Sequence, residues 1–146
     1  MGLFTSKNLD SLDALFLDQI EDLYDAEQRL TQALPKMAET AHSGRLKATF
    51  EQHIRETHNH IVRLEKIFQM LGHRPKRETC YAMKGLIEEG SEVLSASGED
   101  DVIDAALIAA AQRTEHYEMA GYGTARSFAS RLGHHDAARL LQETLD

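Results

Sequence analysis

The feature that most constrains the fold is residues 103–132, where apolar or small side chains recur at alternating steps of three and four. This spacing marks one face of a long helix. Glu118 falls on that face, and Glu115 lies three residues earlier, about 60° away around an ideal helix. A buried carboxylate must be paired, protonated or bound to a metal. The stretch from Thr114 to Glu118 therefore predicts a polar site inside an apolar core.

Composition limits both the fold and the partners. A chain of 146 residues fits a single domain, 1–146, with a substantial core. Helix-forming residues recur at helical spacing and strand signals are scarce, so we expect an all-α protein. The net charge of −8 with neutral histidines argues against nucleic acid or an anionic membrane surface as the main partner. No apolar run approaches the roughly 20 residues needed to cross a bilayer.

Cysteine content and the N-terminus bear on the cellular compartment. Cys80 is the single cysteine, so it cannot form an internal disulfide. Residues 1–7 lack the long apolar segment of a signal peptide. We therefore expect a reducing, cytoplasmic setting.

Two long helices are predicted in the first half of the chain. The first is capped by Asn8 or Asp10, ends near residues 42–44, and carries Glu27 where its apolar stripe requires a leucine. The second runs from about residue 45 to 71. Its apolar seam is interrupted by His53 and His60, two turns apart on nearly the same azimuth, with Glu56 beside them.

The second half is predicted to contain a short helix, a long helix and a short last helix. An amphipathic helix over about residues 77–95 connects the two halves, and it lets the second and third long helices run in the same direction. The third long helix follows the turn at residues 97–101 and ends at Gly133. The last helix starts at residues 134–136, and we expect it to be cut short at Asp146 because no stop signal precedes that residue.

Together the long helices and the last helix offer one or two carboxylates each, with imidazole from the second helix. This is the donor set of a dinuclear site for iron or manganese. Bridging carboxylates would let several acids share one core, because two divalent cations cancel their mutual repulsion. The candidate residues do not form the Glu-x-x-His motif that is standard in such sites, because Glu56 precedes His60 by four residues and the third helix carries Glu115 and Glu118 instead. The candidate metal ligands are Glu27, Glu56, His60 (or His53), Glu115, Glu118 and Glu143.

A metal-free polar layer is the alternative interpretation of the same residues. Tyrosines, histidines and nearby arginines would then pair the acids, and the layer would specify helix register. For His53 alone, a structural histidine in the helix seam is the favoured interpretation.

Several blocks of the sequence match a known family, and they are residues 22–27, 33–37, 84–89, 104–112, 115–118 and 122–124. These blocks resemble the YciF-like family of bacterial stress-response proteins, and the likeness covers nearly the whole chain. The resemblance implies an all-α, ferritin-like four-helix bundle with an additional short connecting helix, a homodimer, and an association with osmotic and general stress. Family members usually continue past the position of Leu145.

Similarity to the rubrerythrin branch of the ferritin-like group implies roles for individual residues. Glu27 corresponds to the first-helix ligand of that branch, Glu56 with His60 to the second-helix ligands, and Glu115 with Glu118 to the paired third-helix glutamates. The leading hypothesis is a cytoplasmic stress protein whose dinuclear iron or manganese centre reduces peroxide or oxidises iron. The second is a non-enzymatic dimeric module that protects or binds proteins under stress.

Overall fold

The computed structural model describes residues 6–146, and all of its regular secondary structure is helical. Residues 1–5, on which part of the signal-peptide argument rests, lie outside this range. The helices are α1 (Leu12–Thr40), α2 (Gly44–Met70), α3 (Tyr81–Leu94), α4 (Asp100–Arg131) and α5 (His135–Leu145). The predicted all-α class and the number of helices are confirmed.

Helix ends follow local sequence chemistry. Ser11 caps α1, because its hydroxyl accepts a hydrogen bond from the backbone N–H of Ala14 at 3.0 Å. The cap thus lies one residue beyond the predicted Asp10. Gly72 and Gly133 follow α2 and α4 with positive φ angles of 72° and 79°, a backbone conformation that favours glycine. Both predicted stop signals are confirmed.

Contacts between the helices fix their directions. Tyr24 contacts Glu65 and Glu27 contacts His60, so α1 and α2 are antiparallel. The Asp104 carboxylate near the start of α4 accepts a hydrogen bond from the backbone N–H of Ser43 just before α2. The starts of α2 and α4 therefore lie together and the two helices are parallel, as the predicted crossover requires.

The segment before α3 explains why that helix begins at Tyr81 rather than near residue 77. The buried Asp25 carboxylate accepts hydrogen bonds from Arg77 Nε at 2.8 Å and from the backbone N–H of Cys80 at 2.8 Å. These bonds hold residues 77–80 against α1 in a non-helical conformation. Helix α3 starts only after Cys80, its N-cap residue.

The apolar core forms two clusters at different levels of the bundle. One includes Phe16, Ile20 and Leu64 together with residues of α5, and the other includes Leu34 and Leu107 with residues of α3. Between these two levels, α1, α2 and α4 contribute polar side chains to the interior of the bundle. The polar site therefore lies near mid-bundle, enclosed above and below by apolar side chains.

Candidate metal centre

One group of possible ligands joins α1, α2 and α4. His60 Nδ1 lies 3.2 Å from Glu27 Oε1 and 3.9 Å from Glu118 Oε1. One ligand atom from each of these three residues lies within 4.8 Å of the others. Glu27 is fully buried and Glu118 is 5% exposed, so the group lies inside the bundle.

A second group lies beside the first and shares Glu118 with it. His53 Nε2 lies 2.9 Å from Glu115 Oε1 and 3.9 Å from Glu118 Oε2. These three residues also bring one ligand atom each within 4.8 Å of the others. The two oxygens of Glu118 thus face different groups, which is the arrangement that a carboxylate bridging two ions requires.

Several buried polar atoms of these groups lack a hydrogen-bond partner within the described residues. They are Glu27 Oε2, both carboxylate oxygens of Glu118, His53 Nε2 and the hydroxyl of Thr57. His53 Nε2 lies close to Glu115, but the two groups are not oriented for a hydrogen bond. A buried polar atom without a partner costs about 1–3 kcal/mol. The donor atoms are therefore free to bind a cation, and the residues present fit a metal.

Burial and charge shift the pKa values of the acids in different directions. Burial raises the pKa of Glu118 above its usual range, and the adjacent Glu27 carboxylate raises it further. Burial likewise raises the pKa of Glu27. The imidazole of His53, in contrast, lowers the pKa of Glu115. Without a cation, the site therefore favours protonated Glu118 and ionised Glu115.

The two histidines also differ. Burial opposes the charged form of His53, but the carboxylates around it, led by Glu115, raise its pKa overall. Burial lowers the pKa of His60. A neutral imidazole is the form that binds a metal, so His60 is the more readily available nitrogen ligand and His53 would first lose a proton.

Tyr122 positions the Glu27 carboxylate. Its hydroxyl donates a 2.6 Å hydrogen bond to Glu27 Oε1, the same oxygen that faces His60. The Tyr122 ring is 1% exposed and contacts the His60 ring edge-on, with the ring centroids 5.9 Å apart. This tyrosine orients a candidate ligand in the way that outer residues commonly support metal sites.

Four of the six predicted ligands come together at the site: Glu27, His60, Glu115 and Glu118. The other two lie outside both groups, with exposed side chains. Glu56 accepts a hydrogen bond from Gln52 Nε2 at 2.8 Å. Glu143 accepts one from Arg139 Nη1 at 2.6 Å and lies 3.7 Å from Arg63 Nε.

His53 is the site residue that the sequence interpretation placed among structural histidines. Its seven-residue spacing from His60 was the available signal, because two turns return to nearly the same helix face. Sequence could not show that Glu115 on α4 comes within 2.9 Å of its ring. With His53 included, α2 supplies two imidazoles to the core.

Among the residues described, no helix is long and apolar enough to span a membrane. The fold and the site define an all-α protein with a ferritin-like four-helix bundle whose core holds carboxylate and histidine groups able to bind a metal. Residues 11–146 match a family model described as a domain of unknown function, DUF892.

A known protein is similar to this chain over nearly its whole length. Protein YciF of Escherichia coli strain K12 is 43% identical over 140 residues, which cover 95% of this chain and 84% of that protein. The chain therefore belongs to the YciF-like family of bacterial stress proteins.

Two solved structures are also similar. The crystal structure of the E. coli stress protein YciF matches with a TM-score of 0.90 and 43% identity, covering 93% of this chain and 86% of that one. YcfI from Rhodopseudomonas palustris matches with a TM-score of 0.93 and 41% identity, covering 97% and 90%. These matches confirm the bundle predicted from sequence.

Proposed function

We propose that this protein binds a pair of iron or manganese ions in its core and serves the bacterial stress response through their chemistry. The observation that carries this proposal is the position of Glu118. Both of its oxygens are buried without a hydrogen-bond partner, and each faces a different imidazole and carboxylate. A single carboxylate shared by two donor groups supports a dinuclear centre more than a single-ion site.

The proposed ligands divide into two sets that meet at Glu118. Glu27 and His60 would hold one ion, and His53 and Glu115 the other. Oxygen donors with some nitrogen suit iron and manganese. Glu56 and Glu143 are left out of the proposed ligand set, because their side chains pair with neighbouring residues and face solvent.

When bound, these metals would supply electron transfer to peroxide or from ferrous iron. The protein's own residues prepare the site for this. Tyr122 holds the Glu27 carboxylate in place through its hydroxyl, and the apolar clusters on either side limit the entry of water. Glu118 and Glu27, whose pKa values are raised by burial, would release protons as cations bind.

Elemental analysis of protein purified with iron or manganese tests the proposal. We expect about two ions per chain and a loss of metal in Glu118→Gln, which keeps the shape of the side chain but removes its charge. Glu56→Gln is the matched control and should keep its metal, because Glu56 is exposed and lies outside both groups. Less than about one ion per chain, unchanged by Glu118→Gln, would refute the proposal.

A non-enzymatic stress-protection module is the second candidate, favoured by one observation. Glu27 and Glu118 lie next to each other and both have raised pKa values because they are buried, so a shared proton can stabilise the core without metal. Under this function Glu118→Gln would leave stress survival intact. Loss of survival in a normally folded variant would favour the metal-dependent function.

We further propose that the protein is a cytoplasmic homodimer. Helix α4 exposes the apolar side chains of Ile108 and Met119, each at least 46% accessible, and their spacing of eleven residues places them on one helix face. An exposed apolar patch of this kind favours association. Light scattering after size-exclusion chromatography should show a dimer that Ile108→Lys weakens. A wild-type monomer at micromolar concentration would contradict the proposed dimer.

A further inference from the structure

A cavity separate from the candidate metal centre lies between α1, α3 and α4. Its volume is about 490 Å³, and α2, which supplies both site histidines, contributes no lining residue. This volume falls within the roughly 300–1,000 Å³ of small-molecule sites. The cavity is therefore large enough to hold a small organic ligand.

Two arginines at one end of the cavity are held in place by a buried acid. Asp25 is 3% exposed and accepts hydrogen bonds from Arg29 Nε at 2.6 Å and Arg77 Nε at 2.8 Å. Each guanidinium uses its Nε, so within the described residues the terminal nitrogens of both make no hydrogen bond. A fixed guanidinium with free terminal N–H groups is suited to binding a carboxylate.

The remaining charges around the cavity are also mainly positive. Lys84 of α3 and Lys36, which lies beside Met37 on α1, line the cavity, and both are exposed. Glu88 is the one acidic residue among the lining residues. In a chain with a net charge of −8, this local excess of positive charge favours an anion.

The end of the cavity opposite the arginines is apolar apart from the exposed Lys36. Met37 and Leu94 belong to one apolar cluster with Ala110 of α4, and all three line the cavity. Met37 follows Arg29 by eight residues, about 12 Å along a helix axis. The cavity therefore presents cationic groups at one end and apolar side chains about two helical turns away.

We propose that this cavity binds an amphipathic organic anion of the medium-chain fatty acid type. The carboxylate would contact Arg29 and Arg77, and the hydrocarbon chain would lie towards Met37 and Leu94. Binding here is independent of metal in the core, because none of the candidate metal ligands lines the cavity.

Calorimetric titration of decanoate into the full chain tests this site. We expect saturable binding of one molecule per chain, weakened about tenfold by Arg77→Gln, the loss expected when one charged hydrogen bond is removed. The variant should fold, because Asp25 keeps its bonds to Arg29 and to the backbone N–H of Cys80. Arg74→Gln, an exposed position on the same linker outside the cavity, should bind like the wild type.

Two further comparisons distinguish binding at this site from nonspecific binding. Ala33→Phe, which fills the cavity from α1, should abolish decanoate binding, and decylammonium should bind much more weakly than decanoate. The proposal would be overturned by absent or non-saturable binding, by equal affinity for decanoate and decylammonium, or by wild-type affinity in either Arg77→Gln or Ala33→Phe. Lys84→Gln changes an exposed lining residue, so it should fold normally even if the other variants do not. It should still weaken decanoate binding severalfold.

Discussion

Replacing Glu118 by glutamine should stabilise the metal-free protein near neutral pH. Glu118 is 5% exposed, and neither of its oxygens has a hydrogen-bond partner within the described residues. Burial raises its pKa above the ordinary value of 4.5. In the folded, metal-free state the carboxyl group therefore holds a proton that it would have lost in the unfolded chain.

The cost of this protonation sets the size of the effect. Holding a proton on a group of pKa 4.5 near pH 7 costs about 1.4 kcal/mol per pH unit, or about 3 kcal/mol. Glutamine has a similar shape and no charge, so it avoids the cost. Because His53 offsets part of the charge, we expect a gain of about 1–3 kcal/mol in the free energy of unfolding.

The gain should depend on pH in a defined direction. A carboxyl group with a raised pKa in the folded state contributes its full stability below the unfolded value of 4.5 and loses it as the pH rises. The difference between Glu118→Gln and the wild type should therefore nearly vanish near pH 4 and grow steadily as the pH rises to 7 and above.

Urea unfolding in the presence of a chelator measures this difference. Glu56→Gln is the control: Glu56 is exposed, so its replacement should change stability by no more than about 0.5 kcal/mol. A protonated Glu118 would be excluded if Glu118→Gln were less stable than the wild type near pH 7 by an amount that persists near pH 4. That result would mean that Glu118 is ionised and firmly paired in the metal-free core.

The rise in melting temperature caused by added manganese should grow between about pH 6 and pH 8, because Glu27 and Glu118 must lose protons to bind it; differential scanning fluorimetry would show this, and a flat response would contradict it. Gly121→Ala should cost about 1–3 kcal/mol in urea unfolding, because its Cβ would lie 2.7 Å from Cδ2 of the buried Leu23. Gly123→Ala, which meets no atom within 4 Å, should be neutral or stabilising, so equal destabilisation of the two glycine variants would count against this packing.

Much of the fold could be predicted because apolar periodicity and stop signals are local. The helical spacing of residues such as Leu107 and Glu118 showed which face of α4 is buried. Gly72 and Gly133 marked helix ends that the structure contains. The start of α3 could not be predicted in this way. It depends on Asp25, which lies more than fifty residues earlier and holds the backbone N–H of Cys80.

The candidate site was predictable only in part, for a related reason. Helical spacing places Glu27 and Glu118 on buried faces, and the structure confirms that both are buried. Spacing alone left Glu56 near the same face, but Thr57 turns into the core and Glu56 outward to Gln52. Contacts between helices decide such cases, and a single sequence does not show them.

Anomalous scattering from crystals grown with manganese would show directly whether the core of the bundle binds metal. We predict about two peaks per chain, one between Glu27 and His60 and one between His53 and Glu115, with Glu118 contacting both. The control crystal of Glu118→Gln should lose both peaks. Refined wild-type density with hydrogen-bonded carboxyl groups and no anomalous peak at Glu118 would contradict a metal-binding core.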